Sequence, residues 1–240
     1  MKINRHINKV AVVGSGIMGS RIACHFANIG VEVLLLDIVP FDLTEEQKQD
    51  KTIRNSIVND ALKSTLKNKP SPIYSKEFVI RITTGNLEDD LHKIADVDWI
   101  IEVVVERLDI KKQVFEKIEK FRKEGTLISS NTSGIPIESM IDGRSDDFQK
   151  HFCGTHFFNP PRYLKLLEII PSTKTDPDVT DFLMKYGDKF LGKDMVLCKD
   201  TPAFIANRIG VASILSLFHL VKELDLTVEE VDSLSGPIIG

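Results

Sequence analysis

The sequence is poor in cysteine. Its three thiols, Cys24, Cys153 and Cys198, are odd in number and mostly flanked by apolar residues, which excludes a disulfide framework and fits reduced thiols in a cytoplasmic protein. Long hydrophobic runs are also missing. The longest uncharged stretch near the end, Ile209–Val221, is 13 residues, where a membrane-spanning helix needs about 20. The opening Met-Lys-Ile-Asn-Arg-His has no apolar signal core, so export is not expected and no membrane partner is read. Positive charge is not in excess: Lys+Arg total 31 against 35 for Asp+Glu, a net charge of −4, so nucleic acid is not an expected partner. Internal repeats and low-complexity segments are absent. Asn131-Thr132-Ser133 matches a glycosylation acceptor, but in a reducing compartment the match is incidental.

What is present is ordinary globular material, 42% hydrophobic and 28% charged over 240 residues, which argues against disorder, collagen and coiled coil. Lys9–Val13 is a short β-branched run stopped by glycine and reads as a buried strand. Residues 17–29 carry helical spacing, with Ile22, Ala23 and Phe26 on one side, and Gly30 ends them. Residues 31–36 form a second apolar strand closing on Asp37, which completes a βαβ unit. Residues 41–69 shift to charged and polar, with Ile53, Ile57, Ala61 and Leu62 at helical intervals; one or two amphipathic helices leave the sheet here. Strands are expected at 79–83, 97–105, 126–130, 153–158, 166–170 and 195–197, and helices at 110–121 and 179–190. Alternating strands and helices predict an α/β fold with a doubly wound, mostly parallel sheet.

After residue 200 the pattern changes. Residues 203–224 are one long helical stretch with no strand after it, and Thr227-Val228-Glu229-Glu230 is a capping box opening another helix. Two units are expected: residues 1–200, a dinucleotide-binding domain, and 201–240, the incomplete start of an all-helical domain.

Gly14-Ser15-Gly16-Ile17-Met18-Gly19 places GxGxxG between a predicted strand and a predicted helix. Gly14 permits the tight turn, Gly16 lets backbone approach a pyrophosphate, and Gly19 allows helix to pack on strand. The helix N-terminus, with Ile17 and Met18 in its first turn, supplies free N–H groups and partial positive charge. Asp37 closes the second strand 18 residues beyond Gly19, where its carboxylate accepts ribose hydroxyls and repels a 2′-phosphate. A Rossmann-type domain binding NAD rather than NADP is the reading. Arg21 is unusual, because this turn often carries a small residue.

Three further clusters fall at strand ends, where ligands bind in open α/β sheets: Ser129–Gly134, Gly154–Pro161 and Leu166–Ile170. Glu168 sits inside an apolar run. An unpartnered carboxylate there costs several kcal/mol, so it requires a hydrogen-bonding or cationic partner, and His156 on the preceding strand is the nearest candidate. A buried carboxylate beside imidazole fixes its tautomer and stabilises its protonated form, as a general base requires. A purely structural His–Glu core pair fits the same pattern.

These clusters resemble the 3-hydroxyacyl-CoA dehydrogenase family, whose signatures are SNTS, an HFFNP box, a glutamate twelve residues after the histidine, and DTPxFxxNR. The chain carries Ser130–Ser133, His156–Pro160, Glu168 and Asp200–Arg208 in that order over most of its length. By that resemblance His156 is the catalytic base and Glu168 its orienting partner, while Ser133 and Asn207 hydrogen-bond the reacting oxygen and shape the site. Glu106, Lys111 and Asn159 match cofactor-side positions. Ser56 and Lys63 fall where the family contacts coenzyme A, although a solvated helix face explains those two as well. The implied reaction transfers a hydride between an (S)-3-hydroxyacyl-CoA and NAD, giving a 3-oxoacyl-CoA in fatty-acid β-oxidation. The family is homodimeric through its helical domain. Leu34–Pro40 and the Pro160-Pro161-Arg162-Tyr163 segment are similar to a bacterial multifunctional subgroup in which an enoyl-CoA hydratase-like region follows. Gly134 stands where a second serine is frequent, and Ala203 where glycine is frequent.

Other readings differ in what they require. Cys153-Gly154-Thr155-His156 has metal-like spacing, but no second cysteine–histidine pair completes four ligands, so no metal is expected. A β-hydroxyacid dehydrogenase of the phosphogluconate type shares the glycine turn and Met18, but is not expected to carry the His156–Pro160 box followed by Glu168. The alternative function is an NAD- and CoA-binding fragment of a larger multifunctional enzyme, without turnover of its own.

Overall fold

The computed structural model describes residues 5–239. In chain order the elements are β1 (Lys9–Val13), α1 (Ile17–Asn28), β2 (Glu32–Asp37), α2 (Lys51–Arg54), α3 (Ser56–Thr65) and β3 (Ile82–Asn86). There follow β4 (Trp99–Glu102), α4 (Leu108–Phe121), β5 (Leu127–Ser130), α5 (Ile137–Ile141), α6 (Asp146–Lys150) and β6 (Phe152–Phe157). The last are β7 (Leu166–Pro171), α7 (Pro177–Lys189), β8 (Asp194–Leu197), α8 (Ala206–Glu223) and α9 (Val228–Ile239).

The strands form one eight-stranded sheet in the order β3-β2-β1-β4-β5-β6-β7-β8. Every pairing is parallel except β6–β7, which is antiparallel. The chain direction therefore reverses across β6–β7, and the reversal sets His156 directly opposite Glu168.

Alternation along the strands divides the core in two. Val10, Val12, Val33, Leu35, Trp99 and Ile101 face one side, where Ile22 and Phe26 of α1, Val58 and Leu62 of α3, and Val179 and Phe182 of α7 cover them. Ala11, Val13, Leu34, Leu36, Ile100 and Ile128 face the other, under Val114, Phe115 and Ile118 of α4 and Phe148 of α6. With both faces covered the strands carry near-continuous apolar runs, as in β1 and β2.

Three sequence expectations are corrected. The strand expected at 79–83 begins at Ile82, because Lys76–Arg81 winds into a 3₁₀ turn that packs Phe78 and Val79 against the core while Ile80 is 88% exposed. The strand expected at 97–105 ends at Glu102: its neighbours β1 and β5 stop in register at Val13 and Ser130, and Val105 lies exposed beyond them. The helices of 41–69 do not leave the sheet, since α3 lays Val58 and Leu62 into the core beside α1. Two short helices, α5 and α6, occupy a stretch where no element is expected from the sequence, and they bury Ile137, Met140, Ile141 and Phe148.

Candidate active site

The C-terminal ends of the parallel strands gather most of the predicted residues. At the end of β1 the glycine turn has the expected geometry. Gly14 takes φ +106°, and a Cβ there would stand 2.5 Å from Val103 O; one at Gly19 would stand 1.8 Å from Gly14 O. Gly16 faces open space. α1 starts with no side-chain cap, and the N–H groups of Ile17, Met18 and Gly19 meet no acceptor among the described residues. Ile17 is 68% exposed, whereas Met18 packs partly into the core. Asp37, at the end of β2, accepts from Ser15 N at 2.6 Å and Ser15 Oγ at 2.5 Å on one oxygen, and from Ile38 N at 2.7 Å on the other. The carboxylate is thus tied to the glycine turn and keeps lone pairs free. Unpaired N–H donors over a side-chain-free backbone, with a half-buried carboxylate beside them, fit a dinucleotide: pyrophosphate at the helix N-terminus and ribose at Asp37.

The loop after β4 rests on a buried ionic network. Lys111, on the first turns of α4, is 1% exposed and donates to both carboxylate oxygens of Glu102, at 2.8 and 3.0 Å, with Glu106 at 3.3 Å. Glu102 also accepts from Ser130 Oγ at 2.5 Å and Val104 N at 2.6 Å. Burial pushes its carboxyl above the ordinary carboxylate range, against the pull of Lys111 and these donors. Glu106 reaches across to the loop after β5, accepting from Thr132 Oγ1 at 2.5 Å and Ser133 N at 2.8 Å. Burial works upward on Glu106 too, but Thr132, Lys111 and the Ser133 N–H together outweigh it, and the carboxyl sits below its ordinary range. Lys111 is therefore enclosed, whereas Glu106 bridges the two loops from an exposed position, its side chain 45% exposed. Glu102 was not singled out in the sequence, although it gives the same signal as Glu168, a carboxylate inside an apolar run.

His156 and Glu168 meet as expected, with Nδ1 2.8 Å from Oε2 and both side chains buried. A carboxylate only accepts, so Nδ1 carries a proton towards it. Nε2 has no hydrogen bond among the described residues. Phe158 and Phe204 flank the ring at centroid distances of 4.4 and 5.7 Å. The other carboxylate oxygen, Oε1, accepts from Ile205 N at 3.2 Å and Ala206 N at 2.8 Å. One carboxylate therefore joins the imidazole to the first turn of α8, where Asn207 is half-buried. Cys198, 3% exposed, lies against the same carboxylate; burial, then the charge of Glu168, pushes its thiol up to about 12.

Ser133 is exposed on the loop after β5, held through its backbone N–H, and neither it nor Asn207 hydrogen-bonds His156. Asn131 Oδ1 accepts from Phe157 N at 2.9 Å, linking that loop to β6. Asn159, exposed just beyond β6, accepts a hydrogen bond from Arg21 of α1. Ser56 and Lys63 stand near the two ends of α3, half-buried and exposed, without a contact to the other candidates. Among the described residues no group of three or more His, Cys, Asp or Glu is placed to hold a metal, and no helix is long and apolar enough to cross a membrane.

Comparison with known proteins bears on the family and the fold. A protein of Bacillus subtilis named as a 3-hydroxyacyl-CoA dehydrogenase is 53% identical over 99% of the chain, and one of Deinococcus radiodurans with the same name is 47% identical over 98%. The chain spans 31% and 65% of their respective lengths. The crystal structure of an (S)-3-hydroxybutyryl-CoA dehydrogenase from Ralstonia eutropha superposes with a TM-score of 0.74 at 27% identity, covering 96% of this chain and 77% of that one. The sequence model described as 3-hydroxyacyl-CoA dehydrogenase, NAD binding domain, matches residues 9–201. With that match over most of its length, the chain belongs to the 3-hydroxyacyl-CoA dehydrogenase family and carries its NAD-binding domain.

Proposed function

We propose that the chain oxidises (S)-3-hydroxyacyl-CoA to 3-oxoacyl-CoA, and runs the reverse reduction, as part of fatty-acid β-oxidation in the cytoplasm. The observation that carries this reading is the buried His156–Glu168 pair, set in register across the one antiparallel step of the sheet and tethered to α8. Bound NAD supplies the hydride acceptor for oxidation at C3 of the acyl group. Gly14, Gly16, Ile17, Met18 and Gly19 hold its pyrophosphate and Asp37 its ribose, with Glu106, Lys111 and Asn159 shaping the nicotinamide side. His156 takes the C3 hydroxyl proton on Nε2 as the carbonyl forms. The Glu168 carboxylate, 2.8 Å from Nδ1, keeps that nitrogen protonated and stabilises the imidazolium. The N–H groups of Ile205 and Ala206 hold Glu168 in place at the positive end of α8. Ser133 and Asn207 hydrogen-bond the reacting oxygen, and Ser56 and Lys63 contact coenzyme A. Residues 1–200 form the NAD-binding unit, and 201–240 open the helical unit through which the enzyme dimerises.

The test is His156→Gln, assayed by NADH oxidation with acetoacetyl-CoA. Turnover is expected to fall by about 10²–10⁴-fold, the usual contribution of general acid–base catalysis, with NADH binding by fluorescence nearly unchanged. Surviving turnover removes His156 from the chemistry. A second reading, cofactor and CoA binding without turnover by this chain alone, is favoured by α8, which buries none of its side chains. A thermal shift with NADH in the absence of acetoacetyl-CoA reduction selects that reading.

A further inference from the structure

Between β6 and β7 the chain turns back through Phe158–Lys165, and this connection carries Phe158 against His156 and, next to it, the exposed Asn159, which accepts from Arg21. Most of what holds it is exposed. Arg162 Nη1 donates to Ser71 O at 2.6 Å and lies with its guanidinium 4.0 Å from the Tyr74 ring centroid, while Tyr163 Oη donates to Ser71 O at 2.9 Å. Such contacts with water on one side hold weakly. The buried tie is different. Lys193, the residue before β8, is 3% exposed, and its ammonium donates to Pro161 O and, at 2.7 Å, to Leu164 O.

No carboxylate lies within ion-pair distance of Lys193 among the described residues. Its Nζ stands 5.9 Å from the Phe157 ring centroid, and the charge it carries is felt by the buried His25 of α1. An ammonium buried without a counter-ion is unfavourable, and burial alone pushes Lys193 down to about 8. What the charge obtains in return is the pair of carbonyls. Both belong to a turn whose own backbone bonds, from Tyr163 N and Leu164 N, converge on Pro160 O and leave Pro161 O and Leu164 O to this side chain.

We propose that Lys193 is a positioning residue of the active site: it clamps the β6–β7 connection from beneath so that Asn159 and Phe158 are held beside His156. The proposal rests on the reading of Asn159 as a cofactor-side residue. The clamp acts on NADH binding through Asn159, two residues before the first of the carbonyls it grips.

Lys193→Met, which is unbranched, one atom shorter and without donors, tests it. Hydrogen exchange at peptides covering Phe158–Lys165 is expected to accelerate about tenfold, the loss of a charge-assisted hydrogen bond, and the NADH dissociation constant to rise by a similar factor. The thermal midpoint is expected to stay nearly constant, because removing an unpaired buried charge offsets the lost bonds. In an Asn159→Ala background the same substitution is expected to leave NADH binding almost unaltered. Lys193→Gln, shorter and neutral, is read in the same way if the methionine variant does not fold. Unchanged exchange in the connection, or full additivity with Asn159→Ala, overturns the clamp. Failure of the unaltered chain to bind NADH instead overturns the proposed function, and the exchange measurement still decides the clamp.

Discussion

At the scale of single residues, buried polar atoms say most about this molecule, and His25 shows how. Its Nε2 lies 3.1 Å from Leu191 O, and its Nδ1 is buried with no partner. A carbonyl only accepts, so the proton sits on Nε2 and the ring is neutral. Burial first, and the charge of Lys193 next, push the imidazole down to about 4 from an ordinary 6.5. Between those two values the unfolded chain binds more protons than the folded one, so stability falls as pH falls through that window and is fully present above it. Unfolding titrations from neutral pH to about 4 are expected to show this loss. Lys193→Met is expected to raise the His25 midpoint, read by NMR, only part of the way to 6.5, since burial remains. A midpoint that does not move would mean that Lys193 does not face His25 as a charge. The His156–Glu168 pair was legible in the sequence because a carboxylate in an apolar strand must find a partner. Lys111 and Lys193 were not legible as buried groups. Lys111 was read only as a cofactor-side position implied by resemblance and Lys193 was not singled out, because only the tertiary path of Glu102, Pro161 and Leu164 encloses them.

Among elements, the junction before α8 carries the strain. Ala203 and Phe204 adopt φ of +61° and +48°, and Phe204 is buried where it flanks His156. A left-handed alanine costs roughly 1–2 kcal/mol, against roughly 0.5–1 kcal/mol for the extra freedom glycine gives the unfolded chain. Ala203→Gly is therefore expected to stabilise the protein by about 0.5–1 kcal/mol, seen as a higher denaturant midpoint at constant slope. A lower midpoint would show that Ala203 packs more than it strains. Most elements were legible because apolar periodicity matches burial, as in β1, β2, α4 and α7. The misplaced strand at 79–83 was not. Phe78-Val79-Ile80 has strand composition, but the segment reaches the core by a 3₁₀ turn, with Arg81 donating to Ala27 O at 2.6 Å. Strand β4 read too long because its run of valines continues past the point where both neighbouring strands end.

Taken as a whole, the molecule is a sheet covered on both faces, with a helical pair attached at one point. α8 has no buried side chain; Ile209 and Phe218 are each 63% exposed, and Leu224 beyond it 61%. Its attachment is local: Phe204 in the core below it, and the two N–H groups that Glu168 accepts. A helix of 18 residues without tertiary packing is marginal in water, because propagation barely outweighs nucleation. Amide exchange should therefore form a gradient. Protection is expected at Ile205 and Ala206, should fall along α8, and should be about a hundredfold or more below that of β4 and β5 by its last turn. The gradient is a direct measure of the tether, since Glu168 is the side chain that fixes the start of α8. Glu168→Gln keeps an acceptor for one N–H but loses the charge facing the helix N-terminus, and is expected to steepen the gradient while β4 and β5 stay unchanged. Uniform protection along α8, or a loss in Glu168→Gln that spreads equally through the sheet, would show that the helix is held by something other than this carboxylate.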